Sequence, residues 1–242
     1  MKTRLLVFLL LLGGVELPGQ TIVQQFVSLT RAQTLQPHID ISPTRAGSLI
    51  IVMPGPLSPD IKVVSVTDNA TAGDNTYKQV DGAASSSTGM NSALDIWYCE
   101  KCKGGATEIK INLSAPAKGS MNAFLEVSNM ASSSVLDGSG VNLTNGTGSS
   151  EGLEVGPSLT TTATDFIIAR YVSTFTSPTG VTPSAWTYKS TYVYVPKGPA
   201  ATYQPTLTGA SPAASFCMSM AAFKIAASAP RSPSGTSKHT NR

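Results

Sequence analysis

Histidine is almost absent from this chain of 242 residues, and charged side chains make up only 13% of it. The two histidines are His38, in a proline-flanked segment, and His239, near the C-terminus. A catalytic serine, cysteine or threonine needs a positioned base, and catalytic zinc usually has histidine ligands. The sequence therefore argues against a histidine-dependent hydrolase and against a zinc enzyme.

The charge balance gives no sign of a nucleic-acid or membrane-surface partner. Once residues 1–19 and 228–242 are set aside, the 17 basic and 14 acidic residues of the whole chain fall to 12 and 13. A near-neutral domain lacks the basic patch that binds phosphate backbones or anionic lipids.

A secretory leader is the clearest signal in the sequence. Lys2 and Arg4 precede the apolar run Leu5–Leu12, which is too short to span a bilayer. This pattern is typical of a signal peptide, and we expect cleavage after Gly19. No second long apolar run follows, so we expect a secreted protein, extracellular or on the cell surface, without membrane insertion after cleavage.

There are only three cysteines, Cys99, Cys102 and Cys217. In an oxidising compartment, the spacing favours a small disulfide loop between Cys99 and Cys102, with Cys217 buried. A bridge from Cys217 to either of the others is the alternative, and an odd count is also compatible with an intermolecular bond. A tetrahedral thiolate zinc site would usually need a second Cys-x-x-Cys pair, which the chain lacks.

Short β-favourable segments separated by Gly, Pro, Asn and Ser fill the rest of the chain. They predict roughly ten strands in an all-β, antiparallel β-sandwich or jelly roll. We expect an N-terminal strand and linker at 20–46, a sandwich domain at 47–227 and a disordered basic tail at 228–242. Within the sandwich, 132–150 is predicted to be a long surface loop. No repeat is regular enough for a propeller or solenoid.

The order of these segments resembles an uncharacterised jelly-roll, concanavalin-like module of bacterial secreted and surface proteins. The pieces that carry the resemblance are GSLIIV, VVSVTDNATAGDNTY, LDIWYCEKCKGGATEIKINLS, FLEVSNM and VLDGSG, within 47–225. The resemblance implies the fold rather than an activity, and the CEKC insert departs from the pattern.

A row of aromatics is the main candidate for a binding surface. If 186–195 is one strand, Trp186, Tyr188, Tyr192 and Tyr194 share a face. Exposed, they could stack on sugar rings, whereas buried, they would be core.

Two weaker candidate sites remain. Asp68, Asn69, Asp74 and Asn75 crowd oxygen ligands into eight residues, as calcium prefers, although such turns are common without metal. Glu126 lies inside an apolar strand and is the best candidate carboxylate for a sandwich glycosidase. Its parity, opposite Leu125 and Val127, predicts a solvent-facing side chain.

We therefore expect a secreted, non-enzymatic structural or adhesive surface protein. It would self-assemble through exchange of its N-terminal strand, because an extended segment can add to the exposed sheet edge of a neighbour, as donor strands do. The partner would then be a second copy of the chain, in a homo-oligomer or filament. The alternative is a carbohydrate-binding module that uses the aromatic row, with glycans as partners. No cofactor is expected apart from calcium at 68–75.

Overall fold

The structure is a computed structural model, and it describes residues 20–87, 92–174 and 178–227. The predicted signal peptide and the predicted basic tail lie outside these ranges. Within them the chain forms strands and turns and has no helix. Accordingly, the described part contains no helix long and apolar enough to cross a membrane.

The described strands follow one another along the whole chain. Their bounds are β1 Thr21–Thr30, β2 His38–Asp40, β3 Leu49–Met53, β4 Val63–Asp68, β5 Lys78–Gln79, β6 Ser85–Ser87, β7 Ser92–Leu94, β8 Trp97–Cys99, β9 Glu108–Leu113, β10 Ser120–Ser128, β11 Leu136–Thr147, β12 Glu154–Val155, β13 Leu159–Thr160, β14 Asp165–Ser173, β15 Gly180–Thr182, β16 Thr187–Lys189, β17 Tyr192–Gly198, β18 Thr202–Tyr203, β19 Thr206–Thr208 and β20 Ser215–Lys224.

Two five-stranded antiparallel sheets form the centre of the molecule. The first has the order β1-β10-β3-β8-β5 and the second the order β11-β20-β14-β17-β16. A three-stranded sheet, β2-β9-β4, accompanies the first, and the sheet β12-β19-β15 accompanies the second. The pairs β6-β7 and β13-β18 complete the described structure. The prediction of an all-β antiparallel fold of sandwich type is confirmed, while its jelly-roll form stays a prediction.

The two halves of the chain repeat one strand order. If β6-β7 and β13-β18 are set aside, each half contributes eight strands. In each half, strands one, eight, three, six and five form the large sheet, and strands two, seven and four form the small one. In the first half Ile51 pairs with Tyr98, and between the corresponding strands of the second half Ile168 pairs with Tyr194. The structure thus contains a tandem repeat that the sequence does not reveal as a periodic pattern.

Three apolar cores separate four layers. The central core lies between the two large sheets and includes Ile51 and Leu125 from the first and Ile168 and Phe223 from the second. The other two cores lie between each large sheet and its small partner. Each large sheet is therefore covered on both faces, so its strands need apolar side chains at successive positions.

This burial explains the continuous apolar runs of the sequence. All five residues of β3 are buried, as are the first seven of β14. Such runs are usual in parallel sheets with both faces covered, but here they occur in antiparallel strands for the same physical reason.

The predicted surface loop at 132–150 is wrong, because most of it forms β11. This strand pairs with β20 and is the edge of the second large sheet. Val141 and Leu143 pack against the outer core of the second half, and Leu136 packs against the central core. The Gly, Ser and Asn residues that suggested a loop accompany two irregularities in the register. The predicted ten strands are likewise too few, because two- and three-residue strands leave little pattern in sequence.

The central core makes a quantitative prediction. Val127 is fully buried in it, whereas Val64 of β4 is 61% exposed. We expect Val127→Ala to lower the free energy of unfolding by about 2–3 kcal/mol, through lost burial and a residual cavity. The matched Val64→Ala should change it by less than about 0.5 kcal/mol. Urea denaturation measures both, and equal effects would contradict the assigned core.

Candidate functional site

The outer edge of β1 is the most conspicuous candidate surface. β1 is the end strand of the first large sheet, and no described strand pairs with its outer side. It contains no charged residue, proline or glycine in ten positions. Phe26, Val27 and Leu29 are 38%, 45% and 51% exposed, and Leu35, which follows the strand, is 47% exposed. Natural sheet edges are usually protected by charge, proline, cover or a β-bulge, and this one has only a register irregularity between Ile22 and Gln24.

Glu126, in β10, accepts a hydrogen bond from the Gln24 side chain of β1 and so helps to hold that strand in place. Its side chain is fully buried rather than solvent-facing, so that prediction is wrong. Glu126 does lie on the face of β10 opposite Leu125 and Val127, as predicted. That face, which Glu126 shares with Phe124, is covered by the small sheet β2-β9-β4. One carboxylate oxygen accepts the Arg45 backbone N–H at 2.7 Å, and the other accepts the Gln24 side-chain N–H at 2.7 Å. Glu126 is thus a structural acceptor, and this argues against its role in a glycosidase.

β1 is also held along its length. It pairs in antiparallel register with β10 from Thr21↔Ser128 to Thr30↔Ser120. Gln24 exchanges two further hydrogen bonds with the backbone of Ser42. The Phe26 ring lies 6.3 Å from that of Phe124. β1 is therefore an integral edge strand and not a detached segment.

The second half supplies an internal comparison for this edge. Its equivalent strand, β11, is also the end of a large sheet but contacts β6 and β13. The Asn142 side chain of β11 donates to the carbonyl of Gly82 at 3.0 Å. Gly140 lies so close to Val80 and Asp81 that a Cβ atom there would clash. The β6-β7 hairpin also contacts β20 and β14, so it lies against the face of this sheet, and no described strand pairs with the outer side of β11 or of β1.

The four aromatics do not form one exposed row, and that prediction is wrong. Residues 190–191 form a turn, so the segment is the hairpin β16-β17. Tyr188 then pairs with Val193 and packs with Trp186 on the outer core of the second half. Tyr192 and Tyr194 lie on the opposite face, in the central core. Trp186 and Tyr192 are only 5% and 2% exposed, so the core alternative is the correct one.

The predicted calcium turn is a hydrogen-bonded network. The Asp68 carboxylate accepts the Asn75 amide at 2.8 Å, the Tyr77 hydroxyl at 2.7 Å and the Ala70 N–H at 3.0 Å. The side-chain oxygen of Asn69 accepts the Thr107 and Glu108 N–H groups. Asp74 is exposed. Because N–H and O–H donors already occupy the Asp68 and Asn69 oxygens, the geometry favours a structural turn, and calcium at 68–75 stays an unsupported prediction.

The cysteines lie where the disulfide prediction expected them. Cys99 and Cys102 are at disulfide distance, with 5.8 Å between their Cα atoms, and both are buried. Cys217 is a free, fully buried thiol in β20. Its burial argues against a bond from Cys217 to another subunit.

Three buried carboxyl groups remain protonated at unusually high pH. Burial raises the pKa of Asp95 to about 6, although Trp97, Gln79 and the Ile96 N–H donate to it. Burial raises the pKa of Glu154 to about 7. Burial, together with the negative charge of Asp137, raises the pKa of Asp165 to about 7.

A cleft of about 440 Å³ lies beside Asp95. Its lining combines apolar with polar groups: Pro56, Pro59, Ile61, Lys62, Val63, Gln79, Ala84, Ser85, Ser86, Ala93, Leu94, Asp95 and Thr144. Asp95 is the one acidic residue in this lining, so the cleft lacks the carboxylate pair that glycoside hydrolysis needs.

One surface cluster was not predicted from the sequence. Ligand atoms of His38, Asp40 and Glu108 lie within 4.8 Å of one another. The predicted linker at 37–43 contains β2, and pairing with β9 brings Asp40 opposite Glu108. Lys110 already pairs with Glu108 at 3.1 Å, so the cluster is an exposed, partly neutralised group.

Comparisons with known proteins identify no relative, because no protein-family model, curated protein or solved structure matches this chain. Its function therefore has to be argued from its own residues.

The buried carboxyl groups predict how stability depends on pH. Their pKa values of about 6 and 7 exceed the ordinary values of 3.8 for Asp and 4.5 for Glu. Between about pH 4 and 7 the folded chain therefore binds more protons than the unfolded chain, and stability falls as pH rises. Thermal unfolding should show a lower Tm at about pH 8 than at about pH 5. Glu154→Gln should flatten this slope, because an amide does not titrate; a Tm that rises with pH would contradict the assignment.

Proposed function

We propose that this chain is a secreted, non-enzymatic structural or adhesive surface protein that self-associates through the outer edge of β1. The observation that carries the proposal is a ten-residue, uncharged edge strand with three exposed apolar side chains. The outer side of this strand, with which no described strand pairs, is a template for another strand, and a second copy offers the same template.

The occupant is a second copy because the edge is self-complementary. Two β1 strands that run antiparallel about a two-fold axis place the same patch on both subunits. No charge within β1 opposes such pairing. The pairing would continue the first large sheet across the subunit boundary and would cover Phe26, Val27 and Leu29.

Edge pairing is favoured over strand exchange. Exchange must first open the β1-β10 ladder and the Gln24–Glu126 hydrogen bond, which the β1 of a second copy then restores. While the strand is open, the buried carboxylate oxygen lacks its donor, at a cost of about 1–3 kcal/mol or more. Edge pairing leaves these contacts intact.

The carbohydrate-binding alternative loses its site, because the aromatic row is core.

A non-enzymatic role is compatible with the carboxylate oxygens of Asp68 and Glu126, which already accept hydrogen bonds, and it remains a proposal. So does the secreted location, which depends on the leader.

Two lysines in β1 should abolish self-association. Val27→Lys with Leu29→Lys places charge on exposed positions, so the fold should survive while edge pairing is opposed. Light scattering with size-exclusion chromatography of the mature protein should show a dimer or larger assembly for the natural sequence and a monomer for the variant.

The control is Val64→Lys, which adds a lysine at a 61% exposed strand valine away from β1. This variant should assemble normally. A natural protein that is monomeric at every concentration, or a Val64→Lys variant that dissociates equally, would sink the proposal.

A further inference from the structure

A lysine and two aspartates meet on three neighbouring strands of the second half, away from β1. Lys224 lies in β20, the middle strand of the three, and is the cross-strand partner of Asp165 in β14. Asp137 lies in β11, on the other side of β20. The residue next to each of them in its strand packs on the central core: Leu136, Phe166 and Phe223. Since successive side chains of a strand point to opposite faces, Lys224, Asp137 and Asp165 share the other face of this sheet.

The pair of Lys224 and Asp137 is more enclosed than an ordinary surface ion pair. The Lys224 nitrogen is 3.4 Å from an Asp137 oxygen, and the two side chains are 34% and 1% exposed. In the surface pair of Lys78 and Glu100 these fractions are 53% and 23%. Loss of hydration makes the neutral forms of both groups, an amine and a carboxylic acid, relatively more favourable. These neutral forms are the reactants of amide formation.

Thr162 holds the Asp137 carboxyl group in one orientation. Its backbone N–H donates to Oδ2 of Asp137 at 2.5 Å, and its hydroxyl donates to Oδ1 at 2.6 Å. Lys224 lies at the Oδ1 oxygen. When a nucleophile adds to a carboxyl carbon, negative charge develops on an oxygen, and a fixed N–H donor stabilises it. The carboxyl group therefore faces the amine with Oδ2 already supported.

Asp165 holds a proton next to this pair. It is fully buried, and its carboxyl group is in hydrogen-bonding contact with that of Asp137, which requires a proton on one of the two. Burial, together with the negative charge of Asp137, raises the pKa of Asp165 to about 7. Burial also acts to raise the pKa of Asp137, but the hydrogen bonds from Thr162 and Lys224 outweigh it and lower that pKa. The shared proton therefore belongs to Asp165.

We propose that the Lys224 amine and the Asp137 carboxyl group condense with each other to form an isopeptide bond, with Asp165 as the proton carrier. The Lys224 ammonium first passes a proton to Asp137, which leaves a neutral amine and a neutral carboxylic acid. The amine nitrogen then attacks Cγ of Asp137, and the N–C bond forms. Asp165 gives its proton to the departing hydroxyl and takes one from the nitrogen. The C–O bond breaks, one water leaves, and Asp165 is protonated again.

The bond would join β11 covalently to β20. These strands are otherwise paired through a ladder with two register irregularities, and β11 is the end strand of its sheet. The enclosed site holds the two reactants together, which is the condition under which an intramolecular condensation becomes fast. Self-association through β1 takes no part in this reaction, so either can fail without the other.

Mass spectrometry of the full mature chain, with its disulfide reduced, tests the bond. The natural protein should be lighter than its sequence mass by one water. Trypsin should not cleave after the acylated Lys224, so the peptide 119–170, which contains both aspartates, should appear joined to 198–231. Fragmentation should place the bond on Asp137. Lys224→Arg keeps the positive charge and should have the full sequence mass, whereas Lys78→Arg, in the surface pair, should keep the loss of water.

Asp165→Asn removes the proton carrier. It should slow the condensation by about 100-fold or more, so most of the freshly purified variant should keep the full sequence mass. Cyclisation of Asp137 onto the Gly138 nitrogen also releases a water, but that loss would persist in Lys224→Arg.

Four results would overturn the proposal and leave an ion pair beside a shared proton: a natural protein of full sequence mass, a loss of water that persists in Lys224→Arg, peptides 119–170 and 198–224 that appear only separately, or an Asp165→Asn variant that condenses as fast as the natural protein. If a variant does not fold, the mass and the joined peptides of the natural protein still decide the question.

Discussion

The packing of one large sheet on the other is the constraint on which this structure depends. Each sheet buries one face in the central core and the other against its own small sheet. Neither half can therefore present its large sheet to water without exposing Ile51, Leu125 or their equivalents. Apolar burial is worth about 25 cal/mol per Å², so the two repeated units stabilise each other.

Arg170 shows how closely the halves are joined. It is fully buried in β14 and donates to the Met121 carbonyl of β10 at 2.8 Å and to the Thr191 carbonyl of its own half. Burial lowers its pKa to about 10, so the guanidinium stays charged at neutral pH. Arg170 is thus a hydrogen-bonding cross-link between the two large sheets.

The sequence predicted the fold class well and the details less well. The all-β class could be predicted because strands buried on both faces, such as β3 and β14, leave a strong local signal of consecutive apolar residues. The repeat stayed hidden because strand order, not side-chain identity, is what the halves share. β11 was missed because Gly, Ser and Asn, typical of loops, also occur in an irregular edge strand.

The site predictions were wrong where the surroundings of a side chain depend on a turn or on residues far away in the sequence. The turn at 190–191 moves Tyr192 to the face opposite Tyr188, and one extra strand boundary is enough to do so. Glu126 was assigned to solvent because a sequence does not show that a second sheet covers that face. The N-terminal strand was identified correctly, since ten residues without charge, proline or glycine are visible in the sequence itself.

Self-association through β1 is the central claim, and hydrogen–deuterium exchange of the backbone amides tests it most directly. The account predicts that the outward-facing β1 amides, which do not pair with β10, exchange quickly in dilute protein and become protected as the concentration rises, while the β3 and β14 amides stay protected throughout. Exchange of β1 that is independent of concentration would contradict it and would mean that this edge faces water in the working protein.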